Sequence, residues 1–277
     1  RTWSCSGAPT ADRRGRERAD TSADGLASFV INLDGSTARL RKTQAQFHAL
    51  GRCFTRIGAV DGRGFGAVDV PEYDEAKALK FMGRKVLGGE IGCYLSHLKA
   101  ARAFLDSGSD VGLVFEDDAI IGQNVFPVVE AATDWLVTSR LRDWRLINLG
   151  YPATLIHSPL ARFSGPGESY ELCQAHYFPM GAYALCWSRR GAEEFLALGQ
   201  SICSPVDNAL RHWLCRAGGG LGFRPGPVGV TPGHSDIDND LERTSHGRIA
   251  SYGFRKQRRL WRDKLWALRN KYDLTRG

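Results

Sequence analysis

A strand–helix–strand pattern over residues 26–62 constrains the fold more than any other feature of the sequence. The apolar run LASFVINLD (26–34) ends at a carboxylate, as a buried strand often does. Ser36 can cap a helix that Gly51 ends. CFTRIGAV (53–60) is a second strand. Apolar residues or threonine recur between the strands at helical spacing, at Leu40, Thr43, Phe47 and Leu50. A β-α-β unit predicts a parallel sheet.

The length of 277 residues suits one large α/β domain with a sizeable core. Residues 1–25 are rich in Ser, Gly, Ala, Arg and Asp, and we expect a disordered leader there. We assign residues 26–249 to the domain and residues 250–277 to a basic C-terminal helix. Further strands and helices are predicted at 111–115, 126–141, 144–150 and 181–187. Residues 151–178 and 218–249 are expected to be irregular.

Compartment and membrane contact follow from the apolar runs and the cysteines. No apolar run is long enough for a membrane span, and the first residues lack the apolar core of a signal peptide. Seven scattered cysteines without a C-x-x-C pair argue against a disulfide framework and a zinc knuckle. They fit a reducing compartment. We therefore expect a cytoplasmic protein that is soluble or lies on the inner face of the membrane.

The positive charge is concentrated in the C-terminal tail. Residues 250–277 hold nine Lys and Arg against two Asp, which accounts for the whole formal charge of +7. Apolar residues interleave with these charges: Phe254, Leu260, Trp261, Leu265, Trp266, Leu268 and Tyr272. A basic amphipathic helix over residues 254–272 suits an anionic membrane surface. Nucleic-acid binding and packing of the aromatics on the domain are the alternatives.

Three adjacent carboxylates, Glu116-Asp117-Asp118, directly follow a predicted buried strand. Alternation along a strand puts Glu116 and Asp118 on one face and Asp117 on the other. Adjacent carboxylates repel one another, and such oxygen-rich sites suit Mg²⁺ or Mn²⁺. Strand ends in open α/β sheets are also where ligands bind. A solvated acidic turn is the alternative.

Other polar residues could complete a site at the same edge. Asn32-Leu33-Asp34 ends the first strand, and Arg39 lies just beyond it, so these residues could hold a base, a ribose or a diphosphate. No G-x-G-x-x-G or Walker pattern is present, which disfavours a dinucleotide enzyme or an ATPase.

The segment GEIGCYLSHL (89–98) sets two glycines and His97 into a helical pattern, where the glycines could serve a close backbone approach. Asp207 falls in the first turn of a predicted helix, where the dipole stabilises a carboxylate even without catalysis. His234 and Asp236 lie in a late polar loop and could complete a metal shell.

The motifs occur in one order along the chain: FVINLD-x₄-R, FTRIGAVDG, GEIGCYLSHLKA, LVFEDDA, GAYALCWSRRGAEEFL and PVDNAL. This series resembles glycosyltransferase family 25, the lipooligosaccharide and lipopolysaccharide biosynthesis transferases, to which animal collagen galactosyltransferases are related. The resemblance covers roughly residues 27–240. It implies a GT-A-like, Rossmann-type α/β domain with a mostly parallel central sheet.

The resemblance also implies a function. A hexose, galactose or glucose, would move from a UDP-sugar to a saccharide acceptor of lipooligosaccharide or lipopolysaccharide, with inversion and a metal ion. The nucleotide pocket would include Asn32, Leu33, Asp34, Arg39, Val60, Asp61, His97, Glu116 and Asp117. Asp118 would be the main metal ligand, with Glu116 and either His234 or Asp236. Asp207 is the candidate base and Asp236 the alternative.

Two rival functions stay open at this point. A metal-dependent nucleotidyl- or phosphotransferase would use the same acidic strand end. A non-catalytic module would bind a membrane or nucleic acid through the tail. We expect a glycan or glycolipid acceptor as partner and no nucleic acid; the oligomeric state stays open.

Overall fold

The computed structural model describes residues 25–65, 70–139, 141, 143–153, 155–231 and 247–273, and it is a mixed α/β structure. The strands are β1 (Leu26–Asn32), β2 (Thr55–Gly58), β3 (Val111–Glu116), β4 (Ala119–Ile121), β5 (Leu146–Asn148), β6 (His157–Gly165), β7 (Glu168–Ala175), β8 (Ala184–Ser188), β9 (Gly220–Arg224) and β10 (Val228–Val230). The helices are α1 (Thr37–Ala49), α2 (Glu75–Phe81), α3 (Gly88–Ser107), α4 (Val125–Thr138), α5 (Arg189–Leu198), α6 (Val206–Ala217) and α7 (Tyr252–Asp273). The predicted leader, residues 1–25, falls outside the described residues except for Gly25.

Eight strands form the central sheet in the order β2-β1-β3-β8-β5-β9-β7-β6, and β4 pairs with β10 in a separate two-stranded sheet. The pairs β1–β2, β1–β3 and β5–β9 are parallel. The other four neighbouring pairs are antiparallel because β7 and β8 run against the rest. Six strands therefore share one direction, and the sheet is mixed where the sequence predicted it to be mostly parallel.

The predicted β-α-β unit is confirmed. β1 and β2 are parallel neighbours joined by α1, and β3 pairs in parallel on the other side of β1. Ile31 lies opposite Glu116 in that pairing. The carboxyl ends of β1 and β3 consequently meet at one edge of the sheet, as the sequence predicted.

Each face of the sheet is covered by its own apolar core. Phe29 and Ile31 of β1 pack into one core with Phe104 of α3. Val30, between them in sequence, packs into the other core with Phe47 of α1. This alternation is what a strand buried on both faces requires. The sheet is thus held rigidly from both sides, and its edge provides a fixed frame for polar side chains.

The two stretches expected to be irregular contain strands. Residues 151–178 hold the β6–β7 hairpin, and residues 218–249 hold β9 and β10. β9 reads GLGFR, which lacks the branched residues typical of a strand. A Cβ on Gly220 would meet the ring of Phe178 at 2.7 Å, so the glycine is needed for close packing. The expectation of loops was wrong for β6, β7, β9 and β10, where packing overrode composition, and residues 232–246 lie outside the described residues.

Helix α7 packs against α6 through a mixed face. Arg259, Asp263 and Ala267 are its buried residues. Nδ1 of His212 lies 2.7 Å from Oδ1 of Asp263. The alternative that the tail aromatics pack on the domain is confirmed for Trp266, which packs against the core, and is wrong for Trp261, which is 63% exposed.

Among the described residues no helix is long and apolar enough to cross a bilayer. Five described cysteines are free thiols: Cys93, Cys173, Cys186, Cys203 and Cys215. Cys53 is disulfide-bonded, so the argument for a reducing compartment from scattered free cysteines does not extend to it.

Candidate active site

A cleft of about 660 Å³, including its open mouth, lies at the carboxyl ends of β1 and β3. Four sequence segments meet there, and each was singled out by its motif. The lining residues are Ile31, Asn32, Leu33, Arg39, Ala59, Val60, Asp61, Gly62, Arg63, Gly89, Cys93, Ser96, Glu116, Asp117 and Asp118. The juxtaposition of the acidic cluster with the first strand end is therefore confirmed.

Asp117 is the carboxylate that the fold itself holds. Its side chain accepts a hydrogen bond of 2.6 Å from Nδ2 of Asn32, and its other oxygen lies 3.4 Å from Nη1 of Arg39. Asn32 is only 2% exposed, and its oxygen accepts a hydrogen bond from Nε of Arg56 at 3.0 Å. Both polar ends of Asn32 are thus engaged within the protein.

Glu116 faces α3 on the opposite side of the turn. Its Oε1 lies 3.0 Å from Nε2 of His97 and 3.8 Å from Sγ of Cys93. His97 has 1% of its side chain exposed and does not line the cleft. It therefore contacts the cleft only through Glu116.

Cys93, His97 and Glu116 bring a sulfur, a nitrogen and an oxygen within 4.8 Å of one another, a set that could hold a metal ion. Burial, followed by the charge of Glu116, raises the pKa of the Cys93 thiol well above its usual range. A protonated thiol is a poor ligand, since metals bind the thiolate.

Asp118 differs from its two neighbours. Its Oδ1 is buried and has no hydrogen-bond partner among the described residues. Burial, with the charges of Glu116 and Asp117, raises the pKa of Asp118 to about 6. Its backbone oxygen is fixed by a hydrogen bond from the N–H of Thr231 at 3.0 Å. A desolvated carboxylate oxygen without a partner is the arrangement that a bound cation would satisfy.

The predicted alternation of the acidic residues holds only in part, because β3 ends at Glu116 and the two aspartates form a turn. All three carboxylates line the cleft. Glu116 and Asp117 do face different partners. The chemistry of the three, with one orphaned oxygen, fits a hard cation such as Mg²⁺ or Mn²⁺.

The loop after β2 touches the start of α3 backbone to backbone. A Cβ on Gly62 would lie 1.9 Å from the carbonyl oxygen of Gly88, and one on Gly92 would lie 2.5 Å from that of Val60. The Val60 N–H donates to Oγ of Ser96 at 2.8 Å. The predicted close backbone approach is confirmed at Gly92, and it fixes one wall of the cleft.

Two predicted pocket residues differ in placement. Asp61 lines the cleft and is paired with Arg63 at 2.5 Å; hydrogen bonds from Arg63 lower the pKa of Asp61 to about 2. Asp34 does not line the cleft: it is 88% exposed and pairs with Arg56 at 2.6 Å.

Asp207 lies in the first turn of α6, as predicted, and does not line the cleft. Burial is the main cause that raises the pKa of Asp207, and the charge of Glu90 also raises it. Hydrogen bonds from Asn208 act in the opposite direction. The charge of Asp207 in turn contributes to the raised pKa of Cys93, after burial and the charge of Glu116, and its helix α6 contacts α3. His234 and Asp236 lie outside the described residues, and their roles stay predictions.

Sequence reasoning did not assign Arg63, Gly89, Cys93 and Ser96 to the pocket, although it had singled out the segment that contains the last three. Gly89, Cys93 and Ser96 are spaced i, i+4 and i+7, so a helical wheel would have set them on one face. Arg63 directly follows the Asp61-Gly62 pair. Its positive charge beside a predicted diphosphate pocket could have identified it as a pocket residue.

A comparison with known protein families covers the part of the chain that holds this cleft. The model of glycosyltransferase family 25 (LPS biosynthesis protein) matches residues 26–210, which include every described cleft residue. The chain belongs to glycosyltransferase family 25. The match covers the strands that frame the cleft.

Two curated relatives are similar to the chain. One is procollagen galactosyltransferase 1-A of Xenopus laevis, 26% identical over 66% of this chain and 30% of the relative. The other is probable inactive glycosyltransferase 25 family member 3 of Rattus norvegicus, 29% identical over 44% of this chain and 22% of the relative. The chain spans less than a third of the length of either.

A solved structure of a glycosyltransferase involved in glycosylation of the major capsid of PBCV-1 aligns with 63% of this chain and 64% of its own. The TM-score is 0.31 and the identity 11%, too low to carry an argument.

Proposed function

We propose that this family member transfers a hexose, galactose or glucose, from a UDP-sugar to a saccharide hydroxyl with inversion, and that it needs a divalent cation. The carrying observation is the buried oxygen of Asp118 that has no partner among the described residues, in a cleft at the carboxyl ends of β1 and β3. Ligands of α/β proteins bind at such strand ends.

The donor would bind between the wall at Val60 and the acidic turn. We assign the uracil and ribose to the wall at Val60 and Asp61, both of which line the cleft. Arg63 is the guanidinium beside it that a diphosphate would attract. Arg39 already contacts Asp117, so it would act on the donor while holding that carboxylate.

The cation would be held by Asp118 and Glu116. When bound, it would supply charge stabilisation for the departing diphosphate. His97 would orient Glu116 through the contact of 3.0 Å. Asp117 would take part only indirectly, because Asn32 and Arg39 already engage both of its oxygens.

Inversion requires a base on the face of the sugar opposite the leaving group. Asp207 is our candidate, because burial raises its pKa and so strengthens it as a proton acceptor. It does not line the cleft, so it would act only if the acceptor reaches it from outside the lining residues. Asp236 is the alternative.

The acceptor is proposed from the family. The matching family description names lipopolysaccharide biosynthesis, and one relative's name specifies galactose transfer to procollagen. We favour a glycan or glycolipid of the lipopolysaccharide type, with galactose as the first donor to test.

The test is a thermal-shift panel of UDP-, GDP- and CMP-sugars with Mn²⁺, with Mg²⁺ and with EDTA. We expect stabilisation by UDP compounds only, and only with metal. Asp118→Ala should weaken metal-dependent UDP binding by about a hundredfold or more, as loss of a principal ligand does. Asp110→Ala is the matched control, an exposed aspartate just before the other end of β3.

Product analysis separates the rival enzyme class. Release of UDP from UDP-galactose with a new glycosidic bond supports sugar transfer. Release of galactose 1-phosphate with a uridylylated acceptor, or of UMP, would instead assign the cleft to nucleotidyl or phosphoryl transfer. Unchanged UDP binding in Asp118→Ala would remove Asp118 as a ligand.

A further inference from the structure

Helix α7 exposes a row of large apolar residues to solvent, although Ala267 and Trp266 of the same helix pack into the core. Phe254 is 71% exposed, Trp261 63%, Leu265 62% and Leu268 38%. Their spacing of three or four residues, with Arg258 in the gap, sets them on one line along the helix. We call these four residues the outer stripe. An ordinary surface helix would bury this line against the core.

The inward face of the same helix is already used by apolar and polar contacts. Ala267 is buried in the core, and Trp266 packs against the same core. Asp263 is 2% exposed and is paired with His212. Nδ2 of Asn270 donates to the carbonyl oxygen of Cys215 at 2.8 Å. These contacts fix the rotation of α7, so the outer stripe faces outward by construction and not because the helix is loosely attached.

Positive charge borders the outer stripe on both sides. One border carries Arg255, Arg262 and Arg269, and the other carries Gln257, Lys264 and Lys271, each set spaced by seven residues. Two of these turn toward the protein: Arg255 donates to the carbonyl oxygen of Lys80, and Arg262 lies over the Phe81 ring. Two acids lie in the helix. Asp263 points inward, and Asp273 lies 3.4 Å from Arg269 at the last turn. The outward surface of α7 is therefore apolar along its centre and cationic along its edges.

This charge pattern disfavours a second copy of the chain as the occupant. Apolar residues at alternating three- and four-residue spacing would otherwise suit a coiled coil. The bordering positions of such a coil would then face one another with like charges, in either orientation of the two helices. The complementary surface must be apolar beneath an anionic layer.

We propose that α7 binds the surface of an anionic lipid bilayer through the outer stripe. Trp261 and its neighbours enter the boundary between headgroups and acyl chains, where the amphipathic indole is most stable. Lys264, whose ammonium lies 5.5 Å from the Trp261 ring centroid, reaches the lipid phosphates with Arg258 and Arg269. The helix lies on the bilayer and does not cross it.

The start of α7 is tied to the cleft. A Cβ on Gly83 would lie 2.9 Å from Cα of Tyr252, so the two backbones are in contact. The neighbouring Arg84 pairs with Glu90 at 2.7 Å, and Gly89, the residue before Glu90, lines the cleft. Binding of α7 to a bilayer would hold the cleft at a set orientation above the lipid.

The experiment is flotation of the purified chain with vesicles. Vesicles of phosphatidylcholine alone are compared with an equal mixture of phosphatidylcholine and phosphatidylglycerol. We expect flotation with the mixture, decreasing as salt is raised, and little with phosphatidylcholine alone. Equal behaviour with both compositions, bound or unbound, overturns the proposal.

Two variants separate the apolar stripe from its charged borders. Trp261→Ser with Leu265→Ser should weaken vesicle binding by about tenfold or more. Replacing Arg258, Lys264 and Arg269 by Gln should weaken it by about a hundredfold. The matched controls, Val137→Ser with Leu198→Ser, and Gln at Arg41, Lys80 and Arg102, change exposed residues on other helices and should bind as the parent does.

Three results would refute the assignment. Undiminished binding by the Trp261 and Leu265 variant means that charge alone acts. Concentration-dependent dimerisation that this variant abolishes assigns the stripe to a second copy. Tighter binding to duplex DNA than to anionic vesicles assigns the borders to nucleic acid. Far-UV circular dichroism and melting confirm that each variant is folded.

Discussion

The two sides of the acidic turn after β3 are built differently. On the α1 side, Asp117 is buried and engaged by Asn32 and Arg39. On the cleft side, Asp118 has a raised pKa and an oxygen without a partner in the part of the chain that the structure describes. Adjacent residues of one type thus have opposite relations to the fold. One carboxylate stabilises the apoprotein, while its neighbour destabilises it until a ligand binds.

The largest effect on stability is expected at Asp117, on the α1 side of the turn. Asp117→Ala leaves the Asn32 amide and the Arg39 guanidinium without this acceptor, so the free energy of unfolding should fall by about 2–4 kcal/mol. Urea denaturation in EDTA measures it. If stability is unchanged while UDP binding is lost, Asp117 is a ligand and the contrast between the two sides fails.

The next largest effect is expected on catalysis, at the contact between His97 and Glu116. His97→Gln removes the imidazole that contacts Glu116, and we expect kcat to fall by about 10–100-fold at saturating donor. His212→Gln breaks the other buried His–carboxylate pair, which lies at α7, and serves as the control. Equal losses of kcat in the two variants would mean that His97 acts through general stability alone.

A smaller effect has the opposite sign. Asp118→Asn should stabilise the metal-free protein by about 1–2 kcal/mol at pH 7.5, because the charged form is desolvated and repelled. The folded pKa of about 6 lies above the ordinary 3.8, so this penalty is absent below about pH 4 and complete above about pH 7. Melting curves in EDTA at both pH extremes test it; a gain that persists at pH 4 contradicts the stated cause.

The smallest effect is expected at Asp34. Its pair with Arg56 is largely exposed, so Asp34→Asn should change stability by less than about 0.5 kcal/mol. UDP affinity should also be unchanged, since Asp34 does not line the cleft. A tenfold loss of affinity by calorimetry would return Asp34 to the donor pocket, where the sequence motif had put it.

The sequence predicted the site better than it predicted the sheet. β1, α1 and β2 could be recognised because their apolar residues follow the period of each element, and the edge shared by Asn32 and Glu116 follows from parallel pairing. The different environments of Asp117 and Asp118 could be predicted only roughly. It depends on Asn32 and Arg39, which lie 85 and 78 residues from Asp117 in the chain.

Strands β9, β7 and β6, at the end of the sheet away from β1, could not be predicted for a different reason. β6 lies at the sheet edge, and β9 is glycine-rich because Phe178 needs the space. Neither carries the alternation of a half-buried strand. The outward direction of Trp261 was equally hidden, since an amphipathic pattern shows that a helix has two faces and not which one the protein covers.

The insertion of β8 beside β3 has a consequence for synthesis on the ribosome. β3 is complete at Glu116, but the strand that covers its open edge begins at Ala184. At ordinary rates of translation, about 5–20 residues per second, the gap lasts on the order of 3–14 seconds. During that interval a row of unpaired backbone groups next to the nascent cleft is available to any other extended chain. The supply of chaperones, more than the final stability, would then set how much active protein a cell obtains.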